Sequence, residues 1–281
     1  MNIVIGKSGQ LAQELKTSPL KNKVFLGRND INLFNKSDTF NLLDKYNPTA
    51  IINASAYTAV DKAESDIDAA YALNSTAVKF LATYCNKNNI KLIHISTDFI
   101  FDGNKKEPYT VHDEPNPINI YGKSKLAGEM AIRKSMLNNY SIIRTSWLYS
   151  SFGNNFVKTM IRLMNELEEI DIISDQVGCP THVKSLARLI QKIINSDNNH
   201  KIYNCSDVGQ ISWHDFAVEI LRLGIKSGLI KEGVKLNKIN SNNFHTVASR
   251  PKYSVLETNK YSNTPWLENL KYFFEEARKI N

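Results

Sequence analysis

The chain predicts an α/β fold, a doubly wound parallel sheet joined to a smaller C-terminal α/β lobe. Three observations carry this expectation. Short, continuously apolar runs alternate with helical segments through the first half; the first run ends in a glycine-spaced turn that opens a helix; and the alternation loosens after Trp147. Strands that are apolar on both faces need helices on both faces, which is the arrangement of a parallel sheet.

The first run, NIVI at positions 2 to 5, stops at Gly6, and Leu11 and Leu15 of QLAQELK then fall on one helical face. KVFLGR reads as a second strand, and KSDTFNLLDKY as a helix with Ser37 and Asp38 as cap candidates. AIINAS is a third strand, followed by a helix in DAAYALNSTAVKFLATYCNKN, a strand in KLIHIST, a helix from Tyr121 to Leu137, and a strand in YSIIRTSW. Beyond Trp147 come a helix in NNFVKTMIRLMNEL, a strand in EIDIISD, a helix in PTHVKSLARLIQKIIN, a short strand in KIYNCSD and a final helix through LENLKYFFEEARK. The expected division is a dinucleotide-binding domain at 1–168, with a segment near 182–196 returning to it, and a mainly substrate-binding lobe at 169–281.

With 281 residues and 42% hydrophobic content, the chain can bury a sizeable core. Its formal charge of +7 is spread among acidic residues without a long Lys/Arg run, which disfavours nucleic acid and suits small phosphate-bearing ligands. Cys85, Cys179 and Cys205 are far apart and form no CxxC, so neither a disulfide framework nor a zinc site is expected. MNIVIG lacks the features of a signal peptide and no stretch has the length of a membrane span, so a cytoplasmic protein is expected.

The turn GKSGQLA carries Gly6, Ser8, Gly9, Gln10 and Leu11 as cofactor-contacting positions. Gly6 permits the tight turn, Gly9 lets backbone amides approach a pyrophosphate, and Ala12 allows close helix packing. Many βα turns use glycine for conformation alone, but the place of this one, at the first βα junction, favours a dinucleotide. In GRND, Arg28 suits a 2′-phosphate and Asp30 suits ribose hydroxyls, or the two form a solvated loop pair; NADPH and NADH both stay open. Asn53, Ala54, Ser55, Ala56 and Tyr57 follow the third strand and are expected along the cofactor, with Thr58, Val60 and Asp61 leading toward the substrate.

Ligands of such sheets sit at the carboxyl ends of strands, which places Ser96, Thr97 and Asp98 at the crevice. Asp98 suits a substrate hydroxyl or a turn cap. Tyr121 and Lys125, four apart at a helix start, are either an amphipathic surface pair or an acid catalyst with its tuning charge.

The stretches GKSGQLA, NASAYTAVDKAE, STDFIFDG, YGKSKLAGE, IRTSWLY, GNNFVKTM, SDQVGCPT and RPKYSVL together resemble the dTDP-4-dehydrorhamnose reductase family of the extended short-chain dehydrogenase/reductases. The resemblance implies that Tyr121 protonates the C4 oxygen of dTDP-4-dehydro-L-rhamnose, a dTDP-4-keto-6-deoxy sugar, while hydride comes from NADPH or NADH. It implies that Lys125 holds the nicotinamide ribose and lowers the tyrosine's pKa toward neutrality, and that Thr97 bonds the substrate carbonyl. Asp98, Phe99, Asn155 and Arg250 would line the substrate. Trp147 would pack on the sugar or thymine, or serve as a core aromatic.

Some members bind Mg²⁺ through glutamates at a dimer interface. Glu14 matches one such position, but Lys184 stands at the counterpart, so no metal and a monomer or weak homodimer are expected. A dehydratase is disfavoured because Phe99, not an acid, follows Asp98. An epimerizing Cys179/His182 pair is disfavoured because GCPT reads as a turn with a buried cysteine. Lys62 and Glu64 read as a local pair. The remaining alternatives are a reductase of another dTDP-4-keto-6-deoxy sugar and a non-catalytic subunit resembling the methionine adenosyltransferase β subunit.

Overall fold

Successive residues of each central strand enter different cores. Ile3, Ile5, Ile51, Leu92 and Ile142 join one hydrophobic cluster, whereas Val4, Ile52, Ile93 and Ile143 join another. Side chains alternate across a strand, so an unbroken apolar run is what a sheet covered on both faces requires. The structure is a computed structural model that describes residues 1–196, 201–258 and 264–280; positions 197–200, 259–263 and 281 of the expected lobe lie outside the described residues.

The first strands are β1 (Asn2–Ile5), β2 (Lys23–Leu26), β3 (Ala50–Asn53), β4 (Lys91–Thr97) and β5 (Tyr140–Thr145). Two short strands, β6 (Leu148–Tyr149) and β9 (Thr181–His182), pair with each other, as do β8 (Val177–Gly178) and β11 (Ile211–Ser212). β7 (Glu169–Ile173) pairs in parallel with β12 (Lys235–Ile239). β10 (Ile202–Cys205) lies beside β5 in the main sheet, which has the order β10-β5-β4-β3-β1-β2. All its pairings are parallel. The order reverses between β1 and β3, and a ligand crevice belongs at the carboxyl ends there.

α1 (Gln10–Thr17) and α8 (Val183–Ile194) cover one face, with Leu11, Ala12 and Leu15 packed among Val183, Leu186 and Ile190. α2 (Lys36–Tyr46), α5 (Ala77–Asn88) and α6 (Ile120–Lys134) supply the other. Between β3 and α5 the chain forms α3 (Val60–Ala63), α4 (Ile67–Tyr71) and a π-helical turn at Ala72–Thr76. The C-terminal lobe gathers α7 (Phe156–Glu166), α9 (Trp213–Ser227) and α10 (Trp266–Ile280) around Met160, Phe216, Ile220, Leu270 and Phe273. No helix among the described residues is long and apolar enough to cross a membrane.

Several local expectations need correction. The cap of α2 is Asn35, whose Oδ1 accepts from Asp38 N at 3.1 Å; Ser37 and Asp38 lie inside the first turn. The long helix expected after β3 is interrupted by the π turn, where Asn74 turns inward. Its Oδ1 accepts from Tyr57 N (2.8 Å), and its Nδ2 donates to Ser124 Oγ (2.9 Å). The main sheet also takes its outer strand, β10, from a stretch expected within the lobe.

His182 caps α8 by accepting from Lys184 N at 3.1 Å and is 4% exposed. Burial, with Lys184 and Arg188 adding to it, lowers its pKa to about 4. The unfolded chain, with an ordinary imidazole, therefore binds the proton first as pH falls, and stability declines between about pH 6.5 and 4 at about 1.4 kcal/mol per pH unit of that window. His182→Asn retains a capping oxygen and removes this titration. Denaturation midpoints measured across that range are expected to show a shallower acid decline, partial because buried His94 contributes in the same direction; an unchanged slope would refute the assignment.

Candidate active site

Gly6 ends β1 with φ +107°, and a Cβ there would lie 2.8 Å from the Ala54 carbonyl carbon. Only glycine combines that φ with so close a strand–strand turn. Gly9 is the N-cap of α1 and places no side chain over its first amides, so the turn presents open N–H groups and the positive end of the helix dipole.

A cavity of about 450 Å³ extends from this turn past Arg28, Ile31, Ala54 and Tyr57. Arg28 lines it. Asp30 instead folds back, accepting from Gly27 N at 2.8 Å and Lys7 Nζ at 3.3 Å; these bonds hold its carboxyl below the usual range. Tyr57 donates its hydroxyl to Asp66 at 3.0 Å. Asn53 lies behind the crevice, 1% exposed, bonded to Ser55 and His94.

A second cleft, of about 600 Å³, opens over the ends of β1, β3 and β4. Ser8, Gly9, Gln10 and Leu11 border it at one end and Ala54, Ser55, Ala56, Thr58 and Val60 along one side, and Thr97, Asp98, Phe99, Tyr121 and Lys125 meet within it. The tyrosine helix is anchored at its start. Asn119 Oδ1 accepts from Gly122 N (2.7 Å) and Glu64 Oε1 from Ile120 N (2.8 Å). Glu64 thus holds α6 rather than pairing with Lys62, whose partner is Asp66 at 3.7 Å. Gly122 and Gly128 let α6 approach the backbone, since Cβ atoms there would fall 2.1 Å from Phe99 O and 2.2 Å from Asn74 O.

Tyr121 packs edge-on against Phe99, with centroids 5.8 Å apart, and its phenol bonds Thr97. Burial pushes the phenol up to about 12, with Asp98 adding to the rise. Lys125 is 2% exposed and donates to Ile95 O at 2.6 Å; burial lowers it to about 8. The expectation that Lys125 draws the phenol toward neutrality is not met in this geometry. Desolvation outweighs it, and the lysine's strong bond goes to the backbone of β4.

Asp98 is 2% exposed, and burial raises it to about 6 against the opposing bonds from Ser254 and Thr97. Thr97 Oγ1 caps the turn by accepting from Phe99 N at 3.2 Å. The capping role suggested for Asp98 therefore falls to Thr97, and Asp98 Oδ2 is buried without a hydrogen-bond partner among the described residues.

Trp147 adopts φ +45° and stacks on Trp213 at 3.4 Å and 7°. Gly178 allows this, because a Cβ there would lie 2.5 Å from the Trp147 ring. A further cavity of about 500 Å³ lies beyond the pair, bordered by Phe99, Phe156, Met160 and Arg250. Arg250 is bidentate to Asp61 at 3.1 and 2.6 Å, so its charge is shared before any ligand arrives. Asn155 does not reach the cleft. It caps α7 through Lys158 N (3.1 Å) and donates to Gln10 Oε1 (3.1 Å), while Gly153 and Asn154 form the wall. Cys179 and His182 are buried and border neither cavity.

Trp213 and Glu64 were missed as site residues by sequence reasoning, and Asp61, expected on the segment leading toward the substrate, instead holds Arg250. Trp213 carried one signal, an aromatic just after the cap residue Ser212 at a helix start; Glu64 and Asp61 depend on partners distant in sequence.

A doubly wound sheet whose first turn is open to phosphate, with threonine, tyrosine and lysine gathered at its switch point, defines a short-chain dehydrogenase/reductase. A family model, RmlD substrate binding domain, matches residues 1–278. The chain is 36% identical over 272 residues to the dTDP-4-dehydrorhamnose reductase of Salmonella typhimurium, covering 93% of this chain and 91% of that protein. The solved structure of the Clostridium acetobutylicum dTDP-4-dehydrorhamnose reductase ortholog superimposes with a TM-score of 0.92 at 39% identity, covering 99% and 100% of the two chains. The reductase of Bacillus anthracis, solved in complex with NADP, gives 0.91 at 37% identity, with 98% of both covered. The chain belongs to the dTDP-4-dehydrorhamnose reductase family.

Proposed function

We propose that this chain reduces the C4 keto group of dTDP-4-dehydro-L-rhamnose to the alcohol of dTDP-L-rhamnose, using NADPH or NADH, with Tyr121 as proton donor. The observation that supports it most is the meeting of Thr97, Tyr121 and Lys125 in one cleft next to the glycine turn, in a chain of this family. The residues fit a nicotinamide dinucleotide. Gly6 and Gly9 leave room and open amides for a pyrophosphate, and Arg28 borders the cavity where an adenosine ribose would lie. When bound, that cofactor supplies the hydride that reaches C4.

Tyr121 gives its phenolic proton to the carbonyl oxygen as charge develops there. Thr97, bonded to the phenol, would hold that oxygen beside it. Lys125 holds the nicotinamide ribose from the side of β4. Asp98 offers its unpartnered oxygen to a sugar hydroxyl, and Trp147, Trp213 and Arg250 border the space that would receive the nucleotide part. In domain terms, the chain through β5 with α8 and β10 would form the cofactor-binding body, and α7, α9 and α10 with β7 and β12 the substrate lobe.

Purified protein is expected to oxidise NADPH or NADH only when freshly generated dTDP-4-dehydro-L-rhamnose is present, followed by loss of reduced-nicotinamide absorbance. Turnover confined to a different dTDP-4-keto-6-deoxy sugar would move the substrate assignment. Intact cofactor binding without turnover on any member of such a panel would favour the regulatory-subunit reading.

A further inference from the structure

Lys125 is gripped from behind by the sheet. Besides its bond to Ile95 O, its Nζ lies 3.5 Å from Nε2 of His94, a residue fully buried in β4. On the other side of the imidazole, Nδ1 lies 3.1 Å from Asn53 Nδ2. The orientation of Asn53 is fixed by Ser55, whose backbone N–H (3.2 Å) and hydroxyl (2.6 Å) both donate to Asn53 Oδ1. A reversed amide would set its NH₂ against that backbone N–H. Asn53 therefore donates to His94 Nδ1, and in a neutral imidazole the single proton must then sit on Nε2. Burial and the nearby lysine both keep His94 neutral, well below the usual histidine range. The ring consequently aims an N–H at Nζ, which an amine lone pair accepts and an ammonium does not.

We propose that Ser55, Asn53 and His94 form a buried tuning chain that fixes the Nε2–H tautomer and so favours the neutral amine of Lys125 in the free protein. His94 is a positioning residue, acting on the cleft through the lysine. Burial acts in the same direction, bringing Lys125 to about 8, and the Glu129 carboxylate opposes it. That carboxylate is largely satisfied by Arg144 (2.8 Å) and Ser96. Of the other charged groups on elements packed against α6, Asp61 is held by Arg250, Asp66 by Tyr57 and Lys62, and Tyr84 of α5 bonds Asp44. Asp98 and Tyr121 lie on the cleft side. With the phenol protonated and the lysine releasing its proton at about pH 8 rather than well above it, Lys125 can exchange a proton close to neutral pH.

The consequence for catalysis rests on the proposed reductase reading, but the tuning itself is measurable without turnover. Histidine ¹⁵N spectra of the native protein are expected to show His94 protonated at Nε2; an Nδ1–H tautomer would overturn the proposal. In protein carrying ¹³C-labelled lysine, with Lys125 assigned by its loss in Lys125→Met, the Lys125 resonance should titrate well below the other lysines. His94→Gln, which can turn an oxygen to Nζ, and His94→Asn, which withdraws the ring donor while keeping a partner for Asn53, are each expected to raise that midpoint by about one pH unit. An unmoved midpoint in either folded variant would overturn the proposal. A moved midpoint in a protein that reduces no dTDP-4-keto sugar would leave the tuning standing and remove the reductase reading alone.

Discussion

Tyr121→Phe is expected to lower kcat on dTDP-4-dehydro-L-rhamnose by about 10²–10⁴-fold, the range for losing a positioned general acid, with NADPH affinity nearly unchanged. The variant keeps the ring that packs edge-on against Phe99 and removes only the hydroxyl. Gly122, Asn119 and Glu64 still hold the start of α6, so the helix and the neighbouring Lys125 stay in place. Because the phenol is pushed up to about 12, its protonated form dominates throughout the neutral range. The supply of acid therefore does not limit the native rate there. Steady-state kinetics and a fluorescence titration with NADPH separate the two effects. A variant that lost cofactor binding, or that kept its turnover, would show that Tyr121 is not the proton donor.

The second large effect is structural. Gly128→Val is expected to destabilise the fold by about 3 kcal/mol, at the upper end of overpacking costs, and to weaken cofactor binding as well. A Cβ at Gly128 would lie 2.2 Å from the Asn74 carbonyl oxygen, and that atom belongs to backbone, which cannot swing aside. The π turn would have to retreat from α6. Asn74 would then lose Ser124 and pull on Tyr57, which borders the cavity of the glycine turn. Thermal denaturation reports the first consequence and KM for NADPH the second. A wild-type melting temperature would mean that the close approach carries no weight, and a lowered one with unchanged KM would uncouple the π turn from the cofactor side.

Features expressed within a few residues were legible in the sequence. The unbroken apolar runs of β1, β3, β4 and β5 announced a sheet covered on both faces, and the spacing of Gly6, Gly9 and Ala12 announced the first turn. Tyr121 and Lys125 were visible because a helix repeats nearly every four residues. What escaped depends on partners far along the chain. Arg250 reads as a lone cation until Asp61, 189 positions earlier, is seen beside it. Trp213 reads as the first residue of a helix until Trp147 lies flat against it. Asn155 illustrates a different loss, because an asparagine before an amphipathic helix signals a cap as strongly as a ligand contact, and the cap is what the chain uses. The expectation that Lys125 draws the phenol toward neutrality fails because the cost of burying both groups outweighs their mutual attraction.

The sixth strand of the main sheet gives the protein an order of assembly. β10 follows β7, α7 and α8 in the chain, yet it closes the sheet on β5. On the ribosome, β5 must therefore wait with an open edge until residues 202–205 have emerged, with α7, β7 and α8 made in between and α9, β12 and α10 still to come. An open strand edge is a template for pairing with other chains, so the interval before β10 arrives is when a nascent molecule is most exposed to its neighbours.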